Sequence, residues 1–149
     1  MIGILLLALM IQCKPTQGVS DPQEVSEDRV FLEMSKTRCF GTCPAYTVKL
    51  YLSGKVEFNG EYNTPVEGSR EFQMEKTDLD KIQQELTDLN FFDLEDRYYK
   101  DVTDLPTTYL TVNQGNRVKK VMDYYGAPAK LKRFEELVEE IIFNNLNDD

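Results

Sequence analysis

The segment that decides the fold is YTVKLYLSGKVEFNGEY, residues 46–62. In its first half Tyr46 and Val48 begin an alternation of apolar and polar residues, which is the period-two pattern of a half-buried strand. Ser53-Gly54 then supplies a tight turn, and the alternation resumes at Val56. Two alternating runs that are joined by a Gly-containing turn predict a β-hairpin, and therefore a pair of antiparallel strands.

Similar patterns on both sides of the hairpin predict more strands. Alternation and turn residues place them at residues 30–35, 69–74, 109–113 and 117–125. In the first of these, Phe31 is expected on the face opposite to Leu32. In the last, Val118 and Val121 are out of step with simple alternation, so a bulge is expected near Lys119-Lys120.

Two helices are predicted from apolar residues at spacings of three and four. The first helix is expected to begin at Thr77 as N-cap, and the second follows Pro128. Their apolar stripes consist of Leu79, Ile82, Leu86 and Leu89 in the first helix, and Leu131, Phe134, Val138, Ile141 and Ile142 in the second. The order strands, helix, strands, helix predicts an α+β fold, a two-layer sandwich of an antiparallel sheet with two helices on one face.

Composition excludes several classes of function. The 149 residues include 26 acidic and 17 basic side chains, a net charge of −9, which disfavours nucleic-acid binding because phosphate backbones are repelled. The chain contains no histidine, which removes Ser-His-Asp and Cys-His catalysis and the commonest zinc ligand. We therefore expect no enzyme activity, no catalytic residue, no metal site and no cofactor.

The N-terminus predicts an envelope protein. Residues 2–11 form an apolar run that is too short to span a bilayer, and Leu9-Met10-Ile11-Gln12-Cys13 resembles a lipoprotein signal. Two features depart from that pattern: no basic residue precedes the run, and Gln12 stands where a small residue is usual. A plain signal peptide or a buried N-terminal strand is the alternative.

The expected organisation follows from this signal. Residues 1–12 are predicted to be a lipoprotein signal peptide, residues 13–28 the lipidated Cys13 with a flexible tether, and residues 29–149 a single α+β domain. Lys14, rather than Asp, follows the cysteine. By analogy with lipoprotein sorting, the expected address is the outer membrane of a Gram-negative cell envelope, reached through the N-terminal lipid.

The most informative short motif is Cys39-Phe40-Gly41-Thr42-Cys43-Pro44. Lipidation of Cys13 leaves Cys39 and Cys43 as an even pair, which an oxidising envelope favours as a disulfide. Gly41 and Pro44 indicate a turn that brings the two sulfur atoms together. A redox-active thiol pair and a soft-metal site are the alternatives, and the metal site lacks the third ligand that it requires.

Weaker candidate binding residues lie in an acidic segment and in two tyrosine pairs. Asp101 and Asp104 belong to a cluster that could hold calcium or act as catalytic carboxylates, but its spacing also suits turns and caps. Tyr98 and Tyr124 each begin a Tyr-Tyr pair, and tyrosines of this kind can form a recognition face. In the simpler interpretation, one ring of each pair packs into the core and the other lies at its rim.

Several motifs together resemble a bacterial envelope family that is known only as a domain of unknown function, family 6438. They lie between about Met34 and Ile142, and comprise the Cys39–Pro44 motif with Tyr46, the Ser53-Gly54 turn, residues 103–107 (TDLPT), and Lys120-Val121 with residues 124–128 (YYGAP). The resemblance implies a small lipoprotein of Gram-negative bacteria, and it implies no activity or substrate.

The sequence thus predicts a lipid-anchored envelope lipoprotein whose domain has a non-catalytic binding or structural role. The expected contacts are the membrane, through the lipid on Cys13, and an unidentified envelope protein, with no nucleic acid. Two alternatives remain: a thiol–disulfide redox protein that uses Cys39 and Cys43, and an inhibitor of an envelope enzyme.

Overall fold

The computed structural model describes residues 29–147; the predicted signal peptide, Cys13 and the tether lie outside the described residues. Within this part, seven strands and two α-helices follow one another, and a short 3-10 helix (Phe91–Asp93) precedes β5. Their bounds are β1 Val30–Lys36, β2 Ala45–Tyr51, β3 Lys55–Tyr62, β4 Gly68–Gln73, α1 Lys76–Leu89, β5 Arg97–Tyr98, β6 Thr108–Gln114, β7 Arg117–Asp123 and α2 Ala129–Asn147. The predicted α+β class is confirmed.

The strands form one sheet in the order β4-β3-β2-β1-β6-β7-β5. The prediction of a purely antiparallel sheet is wrong at one edge, because β5 pairs with β7 in parallel through Arg97 and Tyr98. β6 follows β5 in the chain, but β7 lies between them in the sheet. Residues 99–107 must therefore cross the end of β7, which leaves β5 running in the same direction as β7. A strand of two residues carries too little periodicity to be predicted.

One face of the sheet carries the core. Met34 of β1 lies opposite Val48 of β2 and Leu110 of β6, and all three side chains are buried. The opposite face is polar. Its central row runs across six strands as Glu71, Glu57, Lys49, Glu33, Thr111 and Lys120. Alternating acidic and basic neighbours in the middle of this row favour the register, because opposite charges on paired strands attract.

Both helices bury the predicted apolar stripes. Leu79, Ile82 and Leu89 of α1 are buried and Leu86 is partly buried, while the whole predicted stripe of α2 is buried. The two helices contact each other. Phe143 of α2 lies 5.3 Å, centroid to centroid, from Tyr46 of β2, so α2 packs on the core face. In residues 29–147, no helix combines the length and apolar character that crossing a membrane would need.

Three local predictions are wrong. Phe31 is buried together with Leu32, because the register between β1 and β2 shifts at this point and turns the ring inward. No bulge occurs at Lys119-Lys120, where β6 and β7 pair regularly; Val118 is out of step because its side chain is exposed. Finally, α1 begins two residues earlier than expected, with Glu75 rather than Thr77 as N-cap.

Candidate binding site at one end of the sheet

The topology gathers the candidate residues at one end of the sheet. β1 ends there at Lys36, and its antiparallel neighbours β2 and β6 begin there at Ala45 and Thr108. β7 and β5 also end at this side. We call it the Cys-loop end, and the opposite side, where β1 starts, the Arg29 end. With seven residues in β1, the two ends are separated by roughly 20 Å.

The loop after β1 is closed by the predicted cysteine pair. Cys39 and Cys43 lie at disulfide distance, with their Cα atoms 5.6 Å apart. The ring that they close presents Phe40, whose side chain is 93% exposed. A fully exposed aromatic ring on a covalently closed loop is held away from the core, so the protein itself gains almost no burial from it.

Neighbouring segments hold this loop in place. The Asn63 side chain donates a hydrogen bond to the Thr42 carbonyl. The Arg38 guanidinium donates to the Glu61 carbonyl at 3.1 Å and lies 4.7 Å from the centroid of the Tyr62 ring. The stem of the loop is therefore tied to the end of β3.

The same stem is tied to the segment before β6. The Thr37 N–H donates to the Thr107 carbonyl at 3.0 Å, and the Thr107 N–H donates to the Thr37 hydroxyl at 2.9 Å. These reciprocal bonds extend the β1–β6 pairing beyond the strands. They also link the cysteine loop to residues 99–107, which carry the predicted acidic candidates.

Most of the exposed large apolar side chains lie at the Cys-loop end. Each of them belongs to a strand end or to a loop that leaves it. They are Phe40, Tyr62, Tyr99, Leu105 and Tyr125, with exposed fractions between 37% and 93%. Val118, near the start of β7, is the exception among the described residues. This end therefore carries apolar area that a partner could cover.

The predicted tyrosines have mainly internal contacts. The Tyr124 hydroxyl donates to the Val102 carbonyl at 2.5 Å, and its ring stacks on Tyr99 with centroids 5.5 Å apart. The Tyr98 hydroxyl accepts the Glu95 N–H at 3.0 Å. Both predicted rings are half-buried, whereas Tyr99 and Tyr125 are exposed. In each pair, therefore, the second tyrosine is available to a partner.

Asp101 and Asp104 lie on the exposed loop between β5 and β6, also at the Cys-loop end. Asp104 has a left-handed backbone with φ 68°, a conformation that Asp tolerates in turns. Among the described residues, neither carboxylate has a hydrogen-bond or ion-pair partner, and no three His, Cys, Asp or Glu side chains come together as a metal site would require. Their geometry fits a turn.

A buried pair of carboxyl groups was not predicted from the sequence. Asp123, at the end of β7, and Glu135 of α2 have side chains that are 0% and 9% exposed. Lys132 Nζ lies 2.5 Å from Asp123 Oδ2 and 3.6 Å from Glu135 Oε2. Burial, followed by repulsion from Asp123, raises the pKa of Glu135 to about 8. Glu135 therefore keeps its proton to a higher pH than an ordinary carboxyl group does.

A second polar contact lies further along α2. Glu139 accepts a hydrogen bond from Lys36 Nζ at 2.7 Å and from the Tyr46 hydroxyl at 2.8 Å. Burial, and then the negative charge of Glu139, raises the pKa of Tyr46. Perturbed groups of this kind occur in active sites as well as in structural networks. Here Glu139 joins α2 to β1 and β2, and the side chain of Asp123 is not exposed to solvent. Both contacts therefore fit a structural network.

The sequence did contain a signal for the buried pair. Glu135 lies between Leu131 and Val138 on the apolar stripe of α2, and Asp123 follows Val121 on the inward alternation of β7. Charged residues at such positions are almost never fully buried unless they are paired. The inward position of each residue could be inferred from the sequence pattern. Lys132 as the shared partner is identified only by the packing of α2 beside β7.

A family model described as "Domain of unknown function (DUF6438)" matches residues 30–142. The matched part starts with β1 and extends into α2, so it includes the cysteine loop and the buried carboxyl pair. No match to the chain was found among curated proteins. The comparisons thus define a family and assign no activity to any residue.

Proposed function

The chain belongs to the DUF6438 family, and we propose that it is a lipid-anchored lipoprotein of the bacterial envelope whose domain binds another envelope protein and catalyses no reaction. The observation that carries the binding role is the exposure of Phe40, which is 93% exposed on a loop closed by Cys39 and Cys43. A constrained loop loses little conformational freedom on binding. Aromatic side chains of this kind are frequent anchors in protein interfaces.

The point at which the chain enters the domain supports this role. Arg29 begins the domain at the end opposite to the cysteine loop. A lipid on Cys13 would therefore be connected to the Arg29 end, and the Cys-loop end would point away from the membrane. A tether of ~15 residues reaches roughly 20 Å. Confinement to the outer membrane surface then raises the effective concentration of the domain toward a membrane-bound partner.

We also propose that the domain has two layers, with both helices on the core face of the sheet. Two contacts support the arrangement: Phe143 of α2 packs on Tyr46, and α1 contacts α2. The opposite face carries the charged row through Glu33 and Lys49, which suits solvent. In this arrangement the helices leave the Cys-loop end uncovered.

The thiol–disulfide alternative is the weaker one. A reactive cysteine requires a lowered thiol pKa, supplied by a helix N-terminus or a nearby cation. The pair is followed by β2, which begins at Ala45, and not by a helix. Arg38 precedes Cys39 in sequence and is the candidate cation, but its guanidinium bonds the Glu61 carbonyl and lies over Tyr62. A structural bridge is therefore favoured.

Redox titration of the purified chain separates the two hypotheses. We expect the Cys39–Cys43 bridge to have a reduction potential below about −300 mV, as resistant structural disulfides do. Thiol content is measured by alkylation and mass spectrometry in dithiothreitol buffers of graded poise. A potential near that of envelope oxidoreductases, with rapid exchange onto a reduced client protein, would make the chain a redox protein instead.

Phe40→Ala tests the binding proposal. Because Phe40 is 93% exposed, the change should alter the unfolding free energy by less than about 0.5 kcal/mol. Loss of an interface anchor should nevertheless weaken partner binding by about thirtyfold. The measurement is an affinity capture from solubilised envelopes with immobilised wild-type and variant chains, quantified by mass spectrometry.

Val118→Ala is the matched control, because Val118 is also exposed but belongs to β7 near the Arg29 end. The proposal requires a partner that wild type and Val118→Ala retain equally and that Phe40→Ala loses. Equal retention by all three chains would refute binding through the cysteine loop. If the retained partner is an enzyme and its activity falls on binding, the inhibitor alternative replaces a purely structural role.

A further inference from the structure

A pocket of about 440 Å³ opens at the Arg29 end of the domain. It lies between the second half of α1, the 3-10 helix and strands β1 and β6. Phe31, Leu86 and Phe91 contribute apolar walls. The volume falls within the usual range for small-molecule sites, roughly 300–1,000 Å³. The pocket is on the opposite side of the domain from the proposed protein-binding end.

Two arginines lie at this pocket beside its apolar walls. Arg29 Nη1 donates to the Gly115 carbonyl at 3.0 Å, but its Nε is buried and has no hydrogen-bond partner among the described residues. The Arg117 guanidinium lies 3.9 Å from the centroid of the Phe92 ring, which fixes its position. Within residues 29–147, neither arginine forms an ion pair with a carboxylate.

The two arginines at the pocket contrast with the net charge of the chain. Acidic residues outnumber basic ones by 26 to 17 in the whole chain, whereas Arg29 and Arg117 place two basic side chains at this pocket. Asp93 also borders the pocket, but it is exposed and bonded to neither arginine. The second terminal nitrogen of Arg29, Nη2, has no acceptor among the described residues and is not buried, so it can donate to a ligand oxygen.

We propose that this pocket binds a small amphipathic anion, a carboxylate on an aliphatic chain. The carboxylate oxygens would accept hydrogen bonds from Arg29 and Arg117, since guanidinium groups match carboxylates in geometry and charge. The aliphatic chain would lie against Phe31 and Phe91. This site goes beyond the proposed protein-binding role and does not depend on it.

The test is a titration of the purified chain with octanoate, followed by amide chemical shifts. We expect saturable shifts around Phe91 and Asn113, which line the pocket. Arg117→Gln should weaken octanoate binding about tenfold, the loss of one charge-assisted contact. The same variant should bind 1-octanol as wild type does, because the neutral alcohol uses only the apolar walls.

Two further variants make the result specific. Arg97→Gln is the matched control, because Arg97 stacks on Tyr99 outside the pocket; it should bind octanoate as wild type does. Thr87→Trp places a large ring at the exposed rim of the pocket and should abolish binding of both compounds. Circular dichroism checks that each variant is folded.

Three results would overturn the proposal. The first is an octanoate affinity that Arg117→Gln leaves unchanged. The second is a set of shifts at the Cys-loop end instead of the pocket. The third is nuclear Overhauser contacts between residues 14–28 and Phe31 or Phe91 in the ligand-free chain, which would show that the pocket is filled by the chain's own N-terminal segment.

Discussion

Replacing Glu135 with Gln is expected to make the domain markedly more stable at pH 9 than the wild type, while the two differ little at pH 5. The wild-type carboxyl is buried beside Asp123, and its pKa is raised to about 8 in the folded state. At pH 9 the folded protein must therefore keep a negative charge on Glu135 in a buried position beside Asp123. The amide of Gln fills the same space without that charge.

The sign of the pH dependence follows from linkage. The folded state holds the proton of Glu135 more tightly than the unfolded chain, whose pKa is near 4.5. The stability that this group contributes is fully present below that value and is lost as pH rises through the folded pKa of about 8. Between pH 5 and pH 9, we expect the unfolding free energy of the wild type to fall by on the order of a few kcal/mol more than that of Glu135→Gln.

The groups around Glu135 define the control. Lys132 and Asp123 face it directly, and Tyr46 and Glu139 lie beyond it on β2 and α2. Glu136→Gln removes the same charge from an exposed neighbour in α2 and should leave the wild-type pH profile in place. Urea unfolding at several pH values measures all three chains. Parallel profiles for wild type and Glu135→Gln would contradict the shifted pKa.

Cys13→Ser is expected to move the protein from the membrane fraction to the soluble fraction. In the proposed lipoprotein, the acyl chains on Cys13 supply the membrane affinity, at ~0.8 kcal/mol for each buried CH₂ group. The net charge of −9 adds repulsion from anionic lipid. Metabolic labelling with a clickable fatty acid, followed by fractionation, measures both lipid attachment and location.

The cysteine pair supplies the matched control for this change. A Cys39→Ser, Cys43→Ser double variant also loses cysteine residues but keeps Cys13, so it should remain labelled and membrane-bound. Labelled Cys13→Ser, or Cys13→Ser that still sediments with membranes after a carbonate wash, would contradict lipid anchoring. The protein-binding proposal would then have to stand without a membrane anchor.

The central hairpin and the helices were predictable because their patterns are local. The alternation from Tyr46 to Phe58 and the stripe of α2 each repeat over several turns or pairs, and both kinds of element occur where they were expected. The pairing of β5 was not predictable, since Arg97-Tyr98 is too short to show a period. Its position depends on the edge that β7 leaves open.

The sequence singled out Tyr98 and Tyr124 as candidate binding residues, but the exposed residues of the candidate site could not be predicted as an assembly. Phe40, Tyr99 and Leu105 are distant in sequence, and only the strand order brings their loops to one end of the sheet. The buried pair of Asp123 and Glu135 was missed for a different reason. Both residues occupy inward positions of the sequence pattern, but charged residues normally indicate the surface, and their shared partner Lys132 becomes known only from the packing.

Site-specific photo-cross-linking from residue 40 tests whether the cysteine loop binds a partner protein in the envelope. A photoreactive phenylalanine analogue replaces Phe40 in one chain and Val118 in another, and both are irradiated in the intact envelope. We expect a discrete cross-linked partner from position 40 and no such product from position 118, because only position 40 lies at the Cys-loop end. Cross-links of equal yield from both positions, or from position 118 alone, would contradict binding through the cysteine loop.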